Sequence, residues 1–268
     1  MPSRDRVYRT EAVVLRRKEL GEADRLLTVY TPAMGKLRLV AKGVRRPRSR
    51  KAGHLELFNR VNLLLARGRE LDIITQAEAM DVYPGLRDDL VRFGHAAYVV
   101  ELLDCFAVEE ENRALYRLLV ETLERLSAGV DPAIVARFFE VRLLEGMGYR
   151  PQVFHCVGCG GETRPEAQYF SAREGGVLCP KCGSGRRGAR PISLAGLKVL
   201  RHYQRSSFAA VASARLRPEV HAEIESLMEG YLTYLLERRL HTPGFLQRVR
   251  RLARGEAELQ SSGEARQA

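Results

Sequence analysis

Cys156 and Cys159, then Cys179 and Cys182, form two Cys-x2-Cys pairs with 19 residues between them. Four thiolates at this spacing complete a tetrahedral shell and leave no position for water, so the pattern predicts one structural zinc ion and no catalytic one. Glycine follows each second cysteine (Cys159-Gly160, Cys182-Gly183), as tight turns that aim backbone amides at sulfur require. His155 adjoins Cys156, and an adjacent residue cannot readily reach the same ion. Between the pairs, Gln168–Ser171 and Gly175–Leu178 read as a hairpin, which makes the segment a zinc ribbon. Cys105 lies among Leu102, Leu103 and Phe106 and reads as core.

Charge is the second chemistry. The 268 residues carry a formal charge of +11, and the excess is local: residues 1–80 hold 18 Lys+Arg against 9 Asp+Glu, and residues 81–150 hold 8 against 13. No acid occurs between Asp24 and Glu56, where Arg25, Lys36, Arg38, Lys42, Arg45, Arg46, Arg48, Arg50 and Lys51 all fall. Such a stripe is the footprint of a polyanion site. In an extended strand Lys36, Arg38, Val40 and Lys42 share one face while Leu37, Leu39 and Ala41 share the other, one basic and one core. The Arg45-to-Lys51 loop that follows is held extended by Pro47, and its charges repel one another unless an anion neutralises them. Arg186, Arg187, Arg190, Arg201 and Arg205 form a second, weaker basic set around the ribbon and the helix after it. Tyr8, Tyr30 and Phe58 could stack bases but fit barrel core better.

Other chemistries lack their residues. There is no G-x-x-x-x-G-K-[ST], G-x-G-x-x-G, G-x-S-x-G or H-E-x-x-H, and the six histidines are scattered. The acidic runs Asp88-Asp89 and Glu109-Glu110-Glu111 flank helix boundaries, where first-turn carboxylates stabilise the helix dipole. The chain reads as a binder and not an enzyme. Apolar residues make up 45% of the chain without a stretch of about 18 in a row, so a membrane span is not expected. No signal-like apolar run follows Met1, which predicts a cytoplasmic protein.

The elements that must position these groups follow from the hydrophobic period. Five β-rich segments, Tyr8–Arg16, Arg25–Thr31, Lys36–Val44, Leu57–Ala66 and Leu71–Met80, predict a five-stranded barrel; about 75 residues suit an oligonucleotide-binding (OB) fold, and the pattern also admits an SH3-like barrel. From Leu86 the period becomes 3.6, giving helices from Leu86 to Val100 and from Leu115 to Leu126. A third is capped by Asp131-Pro132 and stopped by Gly146-Met147-Gly148. Later helices run from Ser193 to Tyr203 and from Pro218 through Leu235. The expected class is a multi-domain α+β protein: an OB barrel (1–80), a helical domain in two parts (81–150 and 191–250) interrupted by the zinc ribbon (151–190), and a disordered tail (251–268).

The residues Thr10-x-Ala12-x-Val14-Leu15, Gly21-Glu22-x-Asp24-Arg25-Leu26, Tyr30-Thr31, Gly35-Lys36, Ala41-Lys42-Gly43-Val44-Arg45-Arg46, Ser49-Arg50, Leu55-x-x-Phe58 and Gly68-Arg69-Glu70-Leu71 resemble the RecO family of bacterial DNA repair proteins. The resemblance continues through the helices and ribbon to a final helix ending at Leu240, with Phe245-Leu246 beyond. His241-Thr242-Pro243-Gly244 departs from the Lys/Ser/Arg-rich form of that family. Some members lack the cysteines, which makes zinc a keeper of shape. The resemblance implies a recombination mediator of the RecF pathway that binds single- and double-stranded DNA through the basic residues above. It implies annealing of complementary strands coated by single-stranded-DNA-binding protein (SSB), and promotion of RecA loading with RecR, without ATP hydrolysis. It also implies a RecR contact at the barrel and capture of the acidic, aromatic-ended SSB tail in the helical domain, for which Arg113, Arg117, Arg137 and Arg142 are the candidates. The residues alone leave two other readings: an RNA- or ribosome-associated factor built from a barrel and a zinc ribbon, and a scaffold for an acidic protein.

Overall fold

Alternation of apolar and polar residues builds the five strands β1 (Val7–Leu20), β2 (Asp24–Thr31), β3 (Gly35–Ala41), β4 (Arg60–Ala66) and β5 (Asp72–Asp81). They close into a barrel in the order β1-β2-β3-β5-β4 in this computed structural model, which describes residues 6–249 and 251. Every pairing is antiparallel except β3 with β5, where Leu39 pairs with Asp72 and Val40 with Ile73. This is the OB order. β1 is long enough to serve both halves: Val7–Val13 pair with β4, and Val13–Leu20 pair with β2 past an irregularity between Val14 and Arg16. Ala12, Val14, Leu27, Val29, Leu39, Ala41, Val61, Leu63, Leu65 and Ile74 fill the interior, with Leu37 and Tyr8 packed against it.

Two strands are shorter than the pattern predicts. β3 stops at Ala41 because Gly43 turns to φ 63°, where the Asp24 carboxylate accepts from its N–H at 2.7 Å and the Ala23 carbonyl accepts from Arg45 N–H at 2.9 Å. Leu57–Asn59 stay outside β4 because Phe58 adopts φ 69° and its ring meets Phe93 edge-on at 5.2 Å. Residues 42–59 therefore form a long turn-rich connection.

After a single 3-10 turn at Pro84–Leu86 come α1 (Leu90–Phe106) and α2 (Arg113–Ser127). The helical pattern already begins at Leu86, but the Asp89 carboxylate accepts from Val91 and Arg92 N–H and sets the start of α1. Asn112 caps α2 in the same way through Leu115 N–H. Residues 242–249 are also helical, a segment whose Pro-Gly pair conceals it, since proline is tolerated in a first turn. The Glu101 carboxylate accepts from Thr242 N–H at 2.9 Å and Oγ1–H at 2.6 Å, and Leu246 lies against Gly94.

The described residues fall into two compact units: residues up to Gly129 with those from Thr242 onward, and Val130–His241. The second contains α3 (Pro132–Gly146), β6 (Gln168–Ser171), β7 (Gly176–Leu178), the single turn α4 (Pro180–Gly183), β8 (Ala189–Ile192), α5 (Leu194–Arg205), α6 (Phe208–Ala212) and α7 (Pro218–Leu236). The expected hairpin is β6–β7, and β8 adds a third strand on the other edge of β6. α7 ends at Leu236, short of Leu240, because Glu237 turns to φ 53°. The expected tail at 251–268 lies outside the described residues except for residue 251. No helix among the described residues is long and apolar enough to cross a membrane.

One glycine ties the barrel to the helices of the first unit. Gly35 has φ 61°, and a Cβ there would lie 2.3 Å from the Val108 carbonyl oxygen, which accepts from Lys36 N–H at 3.0 Å. Gly35→Ala is expected to cost on the order of 2–3 kcal/mol, from left-handed strain and this clash. Urea unfolding checks it: a midpoint unchanged from wild type would contradict the contact.

Candidate nucleic-acid interface and metal centre

The basic stripe occupies β3 and the 42–51 connection, and the structure divides it into two groups. Arg38 points outward from β3, opposite Thr28, while its neighbours Leu37 and Leu39 face the core. Arg38, Lys42, Arg46, Arg48 and Arg50 are all exposed, and among the described residues none has an acidic partner. Five cations that no described carboxylate neutralises leave an anion-attracting edge on the barrel.

The remaining members hold that edge in place. Lys51 Nζ donates to the Ile74 carbonyl at 2.9 Å and the Lys42 carbonyl at 3.2 Å, pinning the end of the connection to the barrel. Burial lowers the pKa of this ammonium and the nearby Asp24 opposes the shift. Lys36 Nζ donates to the Asp104 carbonyl at 2.8 Å and lies 3.5 Å from its carboxylate, at the end of α1. Arg45 meets Glu19 and the Gly21 carbonyl, both at 3.3 Å, so the connection is laced to the β1–β2 turn. Arg25 faces Glu56 at 3.6 Å. Tyr30 is buried beside Tyr116, with ring centroids 6.5 Å apart, and Phe58 is buried as well; both are core.

The second basic set, in the other unit, is mostly engaged. Arg186 pairs with Glu174 at 2.7 Å. Arg201 donates to the Val153 carbonyl at 2.9 Å and to Thr163 Oγ1, and burial lowers its pKa first, helped by Arg205. Arg205 is exposed and stacks 3.8 Å over the Phe154 ring. Arg187 and Arg190 are exposed.

The four cysteines converge, with all four Sγ atoms within 4.8 Å of one another and Cys159 and Cys179 4.0 Å apart. Sulfurs around one tetrahedral ion with 2.3 Å bonds lie about 3.8 Å apart, so the set fits a single ion. His155 is not part of the cluster. Burial raises the Cys156 pKa, but N–H groups of Cys179, Cys159 and Gly158 outweigh it and bring it down to about 6, which favours the thiolate. The hydrogen bonds that the Cys182 S–H donates to the Cys179 and Cys156 sulfurs push its pKa up to about 12, because four anionic sulfurs do not share this space without a cation. Gly158 leaves the room they need: a Cβ there would lie 3.1 Å from Cys182 Cβ.

The first unit also holds a cleft of about 690 Å³, formed by Pro32, Tyr116 and Val120 with Arg60, Arg117 and Glu124 at its sides. Arg60 is held by Asp81 at 3.0 Å and Glu11 at 3.3 Å. Burial, with Glu11, pushes the Tyr116 pKa up to about 12. Arg117 is exposed and, among the described residues, has no acid bound to it, and Arg113 pairs with Glu111 at 2.7 Å. Of the four arginines the sequence offers for an acidic tail, Arg137 is instead buried against Glu140, and Arg142 donates to Glu145 and the carbonyls of Gln204 and Ser206. No local pattern signals this cleft, because its walls come from four segments far apart in the chain, at Glu11, Pro32, Arg60 and α2.

Family models match both parts of the chain: "Recombination protein O N terminal" over residues 6–83 and "Recombination protein O C terminal" over residues 87–243. The DNA repair protein RecO of Roseiflexus sp. (strain RS-1) is 44% identical over 94% of this chain and 89% of its own length. The RecO proteins of Desulforudis audaxviator (37%; 90% and 97%) and Pelotomaculum thermopropionicum (36%; 91% and 94%) are similar over comparable spans. An OB barrel with a basic edge, a helical part with four clustered cysteines and these matches along nearly the whole length place the chain in the RecO family of DNA repair proteins.

Proposed function

We propose that the chain is a non-enzymatic DNA-binding mediator of the RecF pathway, which anneals complementary SSB-coated strands and, with RecR, promotes RecA loading without ATP hydrolysis. The observation that carries this reading is the row of exposed cations Arg38, Lys42, Arg46, Arg48 and Arg50, without an acidic partner among the described residues, on an OB barrel of a DNA repair family. They contact phosphates of single- and double-stranded DNA, while Lys36, Lys51, Arg45 and Arg25 position the strand and connection that carry them. Arg187, Arg190 and Arg205 supply further phosphate contacts from the second unit, with Arg186 and Arg201 holding the surface there. Zinc fills the four-cysteine site and keeps the ribbon's shape, with no part in a reaction. Annealing without a nucleotide site runs on binding energy: neutralised strands repel less and pair faster.

The cleft beside Tyr116 is the place we assign to the acidic SSB tail: Arg117 takes a carboxylate, and Pro32, Val120 and the Tyr116 ring take an apolar side chain. The experiment is annealing of complementary oligonucleotides, bare and SSB-coated, by wild type and Arg117→Glu. The variant is expected to anneal bare strands as wild type does and to lose about tenfold in rate on coated ones. Equal rates on coated strands would remove the cleft from the account.

A further inference from the structure

The Gly68-Arg69-Glu70-Leu71 motif, in the turn between β4 and β5, is left without a role by the phosphate edge. This turn is rigidly built. Gly68 admits no side chain, since a Cβ would lie 1.9 Å from the Leu71 carbonyl oxygen. The Asp72 carboxylate accepts from Gly68 N–H at 3.0 Å and from Tyr8 Oη–H at 2.5 Å, so one group fixes both the turn and the Tyr8 ring. On that ring lies the Arg67 guanidinium, 4.9 Å from the centroid, with Arg67 N–H donating to the Arg6 carbonyl at 2.9 Å. Arg67 and Arg69 are exposed and, among the described residues, meet no carboxylate. Asp72 pairs with Leu39, which sets the start of β5, and with it this turn, beside β3, the strand that carries Arg38.

A planar cation lying on an aromatic ring, with its outer face in solvent, offers a flat surface to another flat group, and every nucleobase has one. We propose that Arg67 on Tyr8 is a stacking position for an unpaired nucleobase, with Arg69 holding an adjacent phosphate. The inference rests on the nucleic-acid reading of the barrel and deepens it: the phosphate edge takes single strand and duplex alike, whereas the platform takes only a base whose face is free. Arg67 is then a discriminator of single strands.

The test uses the full chain, a 2-aminopurine-containing single-stranded oligonucleotide and its duplex. Arg67→Ala is expected to lower single-strand affinity about tenfold and duplex affinity less than twofold. Arg67→Lys keeps the charge but loses the plane, so its single-strand salt dependence stays at wild-type steepness while the 2-aminopurine fluorescence change is lost. Arg69→Glu flattens that dependence by about 0.7. Single-strand affinity and fluorescence unchanged in Arg67→Lys, or equal losses on single strand and duplex in Arg67→Ala, would overturn the stacking position while leaving the phosphate edge intact. Wild-type protein that binds neither nucleic acid would overturn the functional reading itself and the platform with it.

Discussion

Replacing Arg38, Lys42, Arg46, Arg48 and Arg50 together by glutamate is expected to lower single-stranded DNA affinity by three orders of magnitude or more near 0.1 M salt. It should also flatten the salt dependence by about 3.5, since each phosphate contact on a single strand contributes about 0.7 to the slope. The size of the effect follows from the division within the basic stripe. These five side chains are exposed and meet no acid among the described residues, so reversing them removes attraction and adds repulsion without cutting an ion pair described inside the barrel. Lys51, whose ammonium holds two backbone carbonyls, would mix folding with binding if it were included. Fluorescence anisotropy over a salt series, with circular dichroism as the folding control, reads both quantities. An unchanged slope in a folded variant would move the DNA path off β3 and its connection.

The Cys156→Ser/Cys179→Ser double substitution is expected to reduce bound zinc from one ion per chain to none and to unfold the ribbon. Structural zinc contributes an apparent ~10–16 kcal/mol in zinc-finger peptides, far above what two short edge pairings around β6 supply. Metal analysis shows the loss directly, and limited proteolysis should cut first within residues 151–190. The barrel has its own apolar interior in the other unit, so binding to single strands through the basic edge should persist. A variant that retains one ion, or that resists the protease as wild type does, would contradict the four-sulfur site. A variant that loses both zinc and all DNA binding would contradict its purely structural role.

Much of this was legible in the chain itself. Strict alternation around Leu37, Leu39 and Ala41 determines which face of β3 enters the barrel, and four cysteines in two close pairs can converge on little else than a metal. Asp131 and Ser193 mark helix starts because a short acceptor side chain before an apolar period has few other uses, whereas the apolar period running back to Leu86 hides the start that Asp89 sets. What remained hidden depends on contacts between distant segments. The extent of β3 is decided by Asp24 accepting from Gly43 N–H, a bond 19 residues long in sequence. Lys36 reads as a free cation on a basic face, yet the end of α1 supplies its acceptor 68 residues away. The helix at 242–249 is masked by its own Pro-Gly pair, and its reason to form is Gly94, whose missing side chain makes room for Leu246. The platform on Tyr8 is invisible locally, because Tyr8, Arg67 and Asp72 meet only when β1, β4 and β5 close the barrel. The basic stripe and the cysteine cluster are written in composition and spacing, and the division between cations left exposed and cations that brace the connection is written in the fold.

The central claim is that binding energy alone lets this chain pair strands held by another protein. The most direct measurement is the annealing rate of two complementary labelled oligonucleotides precoated with SSB, in the absence of any nucleotide, with and without the chain. Acceleration by the wild type is expected, as is its loss in the folded five-glutamate variant. Wild-type protein that binds single-stranded DNA yet leaves coated strands apart, or that prefers RNA of equal length, would contradict the mediator and favour an RNA-associated factor.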